Sequence, residues 1–314
     1  MQVHFDTANI PSISNPIVTQ GTYDGVHTAH QVILNRLKQV AFEQGGETVV
    51  ITFHPHPRLV LYPDDTNLKL LHTLDEKIKA LEEYNINHLV VIPFTKEFSR
   101  LSSLSFIKDI LVDKLHTHTL VIGYNHRFGK NREGTFEHLK DYGNNYGLNV
   151  YEIPKHEVDH EAVSSTRIRH ALETGNVQLA NKYLGYSYNI SGDVVSGKQL
   201  GRTIGFPTAN IQLHDPLKLV PSDGVYAVKI NINNQIYDGM LNCGMRPTVD
   251  GNSHSIEVHI FNFNNAIYGE PVRIFYVDKL RNEIKFDSVE NLKSQLEIDK
   301  LQALHTLKIA NISG

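Results

Sequence analysis

One cysteine, Cys243, stands in 314 residues. A lone thiol excludes an internal disulfide and any paired-cysteine metal site, so composition gives no sign of an oxidising compartment. No apolar run approaches the roughly 18 residues that a spanning helix needs. The opening MQVHFDTANIPS has no charged segment followed by an apolar one, so no secretory leader is expected. An excess of either charge is missing too, with Lys+Arg at 30 against Asp+Glu at 34. The two signs balance in both halves, which argues against a polybasic face for nucleic acid or anionic membrane. Internal repeats and low-complexity linkers are also absent. What remains is a globular composition, 40% hydrophobic and 20% charged, at a length that suggests about two domains. The expectation is a cytoplasmic protein with no nucleic-acid or membrane partner, monomeric or weakly self-associating.

The first part of the chain alternates short apolar runs with amphipathic ones. Ile17–Thr19, Thr48–Phe53, His88–Ile92 and Thr119–Gly123 read as strands. Between them, Ile33, Leu34, Leu37 and Val40, then Asp75–Tyr84 and Phe106–Lys114, read as helices. Strands that are apolar throughout belong to a parallel sheet covered on both faces, which places ligands at the carboxyl ends of its strands. Gly21–His30, Phe53–Arg58 and Gly123–Gly134 all fall there. After about residue 184 the rhythm changes to strand-like runs at 190–195, 224–232, 235–241, 255–261 and 272–277. Asn233-Asn234 suits a tight hairpin turn, and Asp287 with Glu290 suits a capping box before a terminal helix. The predicted fold is a Rossmann-like α/β domain over 1–184, followed by a small antiparallel β-barrel with a C-terminal helix over 185–314.

GTYDGVHTAH follows a strand and opens a helix. His27 and His30, three apart, share one face of its first turn, where free N–H groups and the helix dipole also favour an anion. The imidazoles suit oxygens that gain charge as a phosphorus is attacked; taken alone, they read more readily as surface histidines. Ser164-Ser165-Thr166-Arg167 opens another helical run. Its hydroxyls are either a plain N-cap or part of a phosphate site with the arginine.

In the second half, Gly197, Gly201 and Gly205 are spaced by four in GKQLGRTIGFPTAN. This is not GxxxxGK[ST], and glycines alone read as an ordinary turn. Thr208 and Asn210, just beyond, add hard oxygen donors of the kind magnesium accepts. Glu257 lies in SIEVHIF, where strand alternation puts it on one face with His259 and Phe261. It is either a solvent-facing carboxylate or a general base for an attacking alcohol.

GTYDGVHTAH, TFHPHPR, GYNHRFGKNREG and SSTRIRHAL, in that order, resemble the FMN adenylyltransferase half of bacterial bifunctional riboflavin kinase/FAD synthetases. GRTIGFPTANI, GVYAV, GMRPTV and EVHIFNF, followed by YG, resemble the riboflavin kinase half of the same family. The resemblance implies phosphorylation of riboflavin to FMN, then adenylylation of FMN to FAD with release of pyrophosphate. ATP and the flavins would be substrates, and Mg²⁺ the cofactor. It implies that Gly21, Tyr23, Asp24, His27, His30, Ser164, Ser165, Thr166 and Arg167 hold ATP in the first domain. Phe53, His56, Pro57, Arg58, Asn125, Arg127 and Phe128 would face FMN, with Tyr124 as a further aromatic wall. In the second domain Gly197, Gly201, Arg202, Gly205, Thr208 and Asn210 would hold ATP. Thr208 and Asn210 would be the metal ligands, Glu257 the base, and Arg273 would lie on the riboflavin side. Ala29 replaces the family's glycine between the histidines, and Asn125 a frequent aspartate. Both are expected to tune adenylylation rather than abolish it; the alternatives are a kinase with a weakened first module and a flavin-binding regulator without turnover.

Overall fold

The structure, a computed structural model, describes residues 1–7, 10–65, 67–124, 127–154, 157–158, 161–197, 200–248 and 251–312. The chain forms two compact units, Met1–Ser165 and Thr166–Gly314.

The first unit holds strands β1 (Gln2–His4), β2 (Ile17–Gln20), β3 (Thr48–His54), β4 (His88–Pro93), β5 (Thr119–Gly123) and β6 (Asn149–Ile153). All are parallel, in the order β1-β4-β3-β2-β5-β6. Its helices are α1 (Thr28–Gln44), α2 (Pro57–Leu61), α3 (Leu74–Glu82), α4 (Ser103–Ser105) and α5 (Phe136–Tyr146), and α4 runs into a π-helical stretch, Phe106–Val112. Alternate residues of one strand go to opposite faces, and both faces are covered. Val49, Ile51, Val90 and Ile92 pack with Ile107 and Leu111 of the π-helical stretch and Leu139 of α5. Val50, Leu89 and Val91 pack with Leu34 and Leu37 of α1 and Leu81 of α3. Strands β1 and β6, at the sheet edges, add to the strands expected from the sequence. Both are partly exposed, so neither carries a continuous apolar run. Strand order reverses between β2 and β5, so the crevice at their carboxyl ends is the natural ligand site. A small hairpin, β7 (Glu157–Val158) with β8 (Glu161–Ala162), completes this unit.

Helix α6 (Ser165–Glu173) spans the join, and α7 (Val177–Leu184) follows. The expected join lay near residue 184, whereas by packing these helices belong with the second unit. The reason is specific: Asn181 of α7 donates from Nδ2 to the Tyr276 carbonyl and accepts from Tyr188 N–H. The rest comprises β9 (Asn189–Val195), α8 (Leu200–Thr203), β10 (Ala209–Leu213), β11 (Gly224–Ile232), β12 (Gln235–Thr248), β13 (Gly251–Ile260), β14 (Pro271–Arg281) and α9 (Val289–Ile312). The strands close an antiparallel barrel in the order β10-β13-β12-β11-β14-β9. Asn233 and Asn234 both take positive φ, at 49° and 65°, as a tight hairpin turn requires. Strand β10, which closes the barrel, was not among the runs read from the sequence. Ala303 and Leu307 seat α9 on Phe206, Ala227 and Met240. Its cap is Ser288, whose Oγ accepts from Asn291 N–H at 3.1 Å. That corrects the expected Asp287 and Glu290 pairing by one residue.

Candidate active sites

The first candidate site grows from the turn after β2. Tyr23, Gly25 and Val26 all take positive φ, at 47°, 92° and 35°. For Tyr23 and Val26 such backbone costs about 1–3 kcal/mol each, and it persists only where neighbours over-determine it. Five hydrogen bonds do so. Tyr23 OH and Thr19 Oγ1 share a 2.9 Å hydrogen bond. The Asp24 carboxylate accepts from Leu71 N–H and His72 N–H at 3.2 and 2.9 Å. Thr52 Oγ1 donates to the Thr22 carbonyl at 3.1 Å. Ser165 Oγ donates to the Asp24 carbonyl at 2.8 Å. Asp24, expected beside ATP, also braces the turn through its carboxylate and carbonyl.

The turn delivers the chain to α1 with His27 as its N-cap, Nδ1 accepting from His30 N–H at 3.4 Å. That bond leaves the His27 proton on Nε2. The two rings stack at 3.6 Å and 13°. His30 Nδ1 is buried without a hydrogen-bond partner. Burial, then the neighbouring charges of His27, Lys77 and His72, hold the His30 pKa well below the usual histidine value. His30 is thus held neutral at a helix start, with His27 Nε2 beside it as a donor. Ala29 sits between them within the helix, where a methyl is favoured over glycine by about 1 kcal/mol.

The other residues expected in this half differ in burial and in the contacts they make. Thr166 and Arg167 lie exposed in the first turn of α6, after half-buried Ser164. Phe53 is half-buried and meets Phe94 and Phe98 at 5.7 and 5.8 Å. Tyr124 is exposed, while Phe128 is a core residue against Phe106. Phe128 is buried because its segment bridges to Gly134, where a β-carbon would strike its ring. His56 caps α2 ahead of Pro57, and Arg58 pairs with Asp65 at 2.9 Å on the surface. Arg127 is exposed, Gly21 is half-buried, and Asn125 lies outside the described residues.

The second candidate site lies on the barrel. Asn210 of β10 stands directly opposite Glu257 of β13, and Thr208 Oγ1 donates to Glu257 Oε2 at 3.3 Å. Glu257 is half-buried rather than a free surface carboxylate. The expected shared face holds: His259 binds the Pro207 carbonyl at 2.8 Å, and its ring meets Phe261 at 5.6 Å. A β-carbon at Gly197 would collide with the Asn210 amide, and one at Gly201 with the Phe206 carbonyl. Those two glycines let the backbone at 197 and 201 lie close against the segment 206–210. Arg202 is exposed within that loop, in α8, and Gly205 takes a φ of 89°. Arg273 on β14 donates to Asn189 Oδ1 at 2.8 Å and lies over the Phe275 ring, so its bond does not go to the Glu257 group.

A family model for FAD synthetase matches residues 10–167, and one for riboflavin kinase matches 184–307. The bifunctional riboflavin kinase/FMN adenylyltransferase of Haemophilus influenzae is 40% identical over 283 residues, covering 90% of this chain and 91% of that protein. The chain belongs to the bifunctional riboflavin kinase/FMN adenylyltransferase family. The Listeria monocytogenes member is 38% identical over 287 residues, covering 91% of this chain and 90% of its own. A crystal structure described as a macrolide-efflux protein from Streptococcus pneumoniae superposes with a TM-score of 0.87 at 34% identity, over 95% of this chain and 96% of that one. Among the described residues no helix is long and apolar enough to cross a membrane.

Family membership agrees with the resemblance carried by the motifs, and each family model covers one of the two candidate sites. Of two groups beside those sites, Lys77 lay outside the motifs and His259 lay within EVHIFNF without an assigned role. Lys77 reaches Thr52 in the first site, and His259 holds the Pro207 carbonyl in the second. Lys77 had a sequence signal: with Leu74, Ile78 and Leu81 it forms an i, i+3, i+4, i+7 stripe, so a cation stands at a core position.

Proposed function

We propose that this chain converts riboflavin to FMN on the barrel and FMN to FAD on the sheet domain, using freely diffusing ATP in the cytoplasm. The observation that carries this reading is the pair of unlike groupings. A neutral imidazole stack lies on a braced turn in one unit, and a carboxylate beside hydroxyl and amide oxygens lies in the other. The functional boundary is placed at 184/185, a division supported by the riboflavin kinase model starting at 184.

In the first reaction a phosphate oxygen of FMN attacks the α-phosphorus of ATP and pyrophosphate leaves. His27, with its proton on Nε2, and His30 donate to oxygens that gain charge in the transition state. Arg167, Ser164, Ser165 and Thr166 bind the polyphosphate, and Gly21 and Tyr23 shape the turn beneath it. Flavin contacts are assigned to Phe53, His56, Pro57, Arg58, Asn125, Arg127 and Phe128.

In the second, Glu257 takes the proton of the ribityl 5′-hydroxyl as its oxygen attacks the γ-phosphorus, and ADP leaves. Gly197, Gly201, Arg202 and Gly205 cover the nucleotide, and Arg273 is assigned to the riboflavin side. Thr208 and Asn210 offer neutral hard oxygens beside the Glu257 carboxylate, a donor set that fits Mg²⁺ arriving on nucleotide phosphates. Bound there, the ion neutralises charge on the transferring phosphoryl group.

The test is product analysis with the full chain, ATP, Mg²⁺ and riboflavin. FMN followed by FAD is expected; FMN with no FAD would remove the adenylylation half of the reading. Glu257→Gln is expected to slow FMN formation by about 10²–10⁴-fold, the usual worth of a general base, while supplied FMN is still adenylylated. His30→Ala should do the reverse.

A further inference from the structure

Lys77 is a buried cation with little to hold it. Its side chain enters from α3, whose start is fixed by a capping box between Thr73 and Glu76. The residue is 6% exposed, and its Nζ donates to Thr52 Oγ1 at 3.3 Å. That same oxygen donates to the Thr22 carbonyl inside the strained turn. No carboxylate lies within ion-pair distance of this ammonium among the described pairs. Burying a cation so is unfavourable unless something else uses the charge.

We infer that Lys77 is a positioning residue of the adenylyl-transfer site: through Thr52 it braces the turn carrying His27, and it keeps a positive charge beside the His27–His30 stack. The inference rests on the adenylyl-transfer reading of that site. The charge acts on His30 in a definite direction. His30 faces His27 at the N-cap, the Tyr23 ring at 4.8 Å, and the charges of Lys77 and His72 from the segment before and within α3. Burial first, and then the Lys77 ammonium, disfavour a positive charge on the ring, so His30 stays neutral and ready to donate or accept. Asp24 offsets part of the Lys77 charge, but burial dominates and brings the lysine pKa down to about 8. The ammonium is therefore charged below pH ~8 and loses its proton above it.

The experiment compares the full chain with Lys77→Met, Lys77→Arg and Thr52→Val. It follows FAD formation from FMN across pH, FMN formation as a control for folding, and the His30 ring by NMR titration without substrates. Lys77→Met should lower kcat for FAD formation by about tenfold to a hundredfold, the scale of a small misplacement. The fall near pH 8 expected of the parent should vanish, and the His30 midpoint should rise by about half a pH unit or more. Lys77→Arg should restore the low His30 midpoint. A Lys77→Met protein with an unchanged pH profile and His30 midpoint overturns the inference, whatever its rate. If Lys77→Met also loses FMN formation, Thr52→Val decides: slower FAD formation supports the brace, and an unaltered rate overturns it. A parent chain that makes no FAD instead sinks the adenylyl-transfer reading, and the His30 midpoint then decides where the Lys77 charge acts.

Discussion

The Pro207 carbonyl accepts a 2.8 Å hydrogen bond from His259 Nδ1, one residue before Thr208. The Phe206 and Phe261 rings flank that imidazole at 5.2 and 5.6 Å, and burial lowers its pKa, so it sits neutral with its proton on Nδ1. His259 thus fixes the segment whose oxygens are assigned to Mg·ATP, without itself lying among them. His259→Leu should raise KM for ATP in FMN formation about tenfold, the worth of one lost bond to a buried carbonyl, with kcat less affected. His259→Asn, which offers an amide N–H in nearly the same place, should recover most of it. Initial rates over a range of ATP check both, with FAD formation from FMN unaltered. At this scale the sequence is legible where chemistry follows residue type. Glu257, Thr208, His27 and His30 stand in recognisable strings, whereas Lys77 and His259 owe their roles to what packs around them.

Helix α9 is anchored by an ion pair that no local pattern announces. Arg281, near the end of β14, holds Asp299 through Nε at 2.9 Å and Nη2 at 2.7 Å, and Gln295 adds a third bond at 2.9 Å. Asp299 is 0% exposed. Removing the guanidinium leaves that carboxylate buried and unpaired, so Arg281→Met should destabilise the second unit by about 3–5 kcal/mol. Chemical denaturation of the full chain, followed by a probe on the barrel, measures this. Elements with dense apolar patterns, such as β3 and α1, were readable from periodicity alone. Strand β10 was not, because Asn210 and Gln212 alternate with Ile211 and Leu213 over too short a run to stand out. Edge strands β1 and β6 were hidden for the related reason that they are half exposed. The cap of α9 moved by one residue because Ser288 and Asp287 are both competent, and the geometry of the preceding chain chose between them.

For the whole molecule, the two nucleotide sites proposed above would load independently. Calorimetry with Mg²⁺ and α,β-methylene-ATP should find two sites per chain; His30→Ala should weaken one and Thr208→Ala the other. A single site, or one weakened by both substitutions, would contradict the division of labour. The sequence by itself determined the two fold classes, the order of the motifs and the pairing of one chemistry with each half. Those features depend on hydrophobic period and on short strings of residues, which are local. Tertiary structure alone decided that α6 and α7 pack with the barrel, that Phe128 belongs to the core and that Asp24 braces its turn. It also placed an almost unpaired ammonium beneath the imidazole stack. Burial and charge coupling arise between residues distant in the chain, so no local pattern contains them.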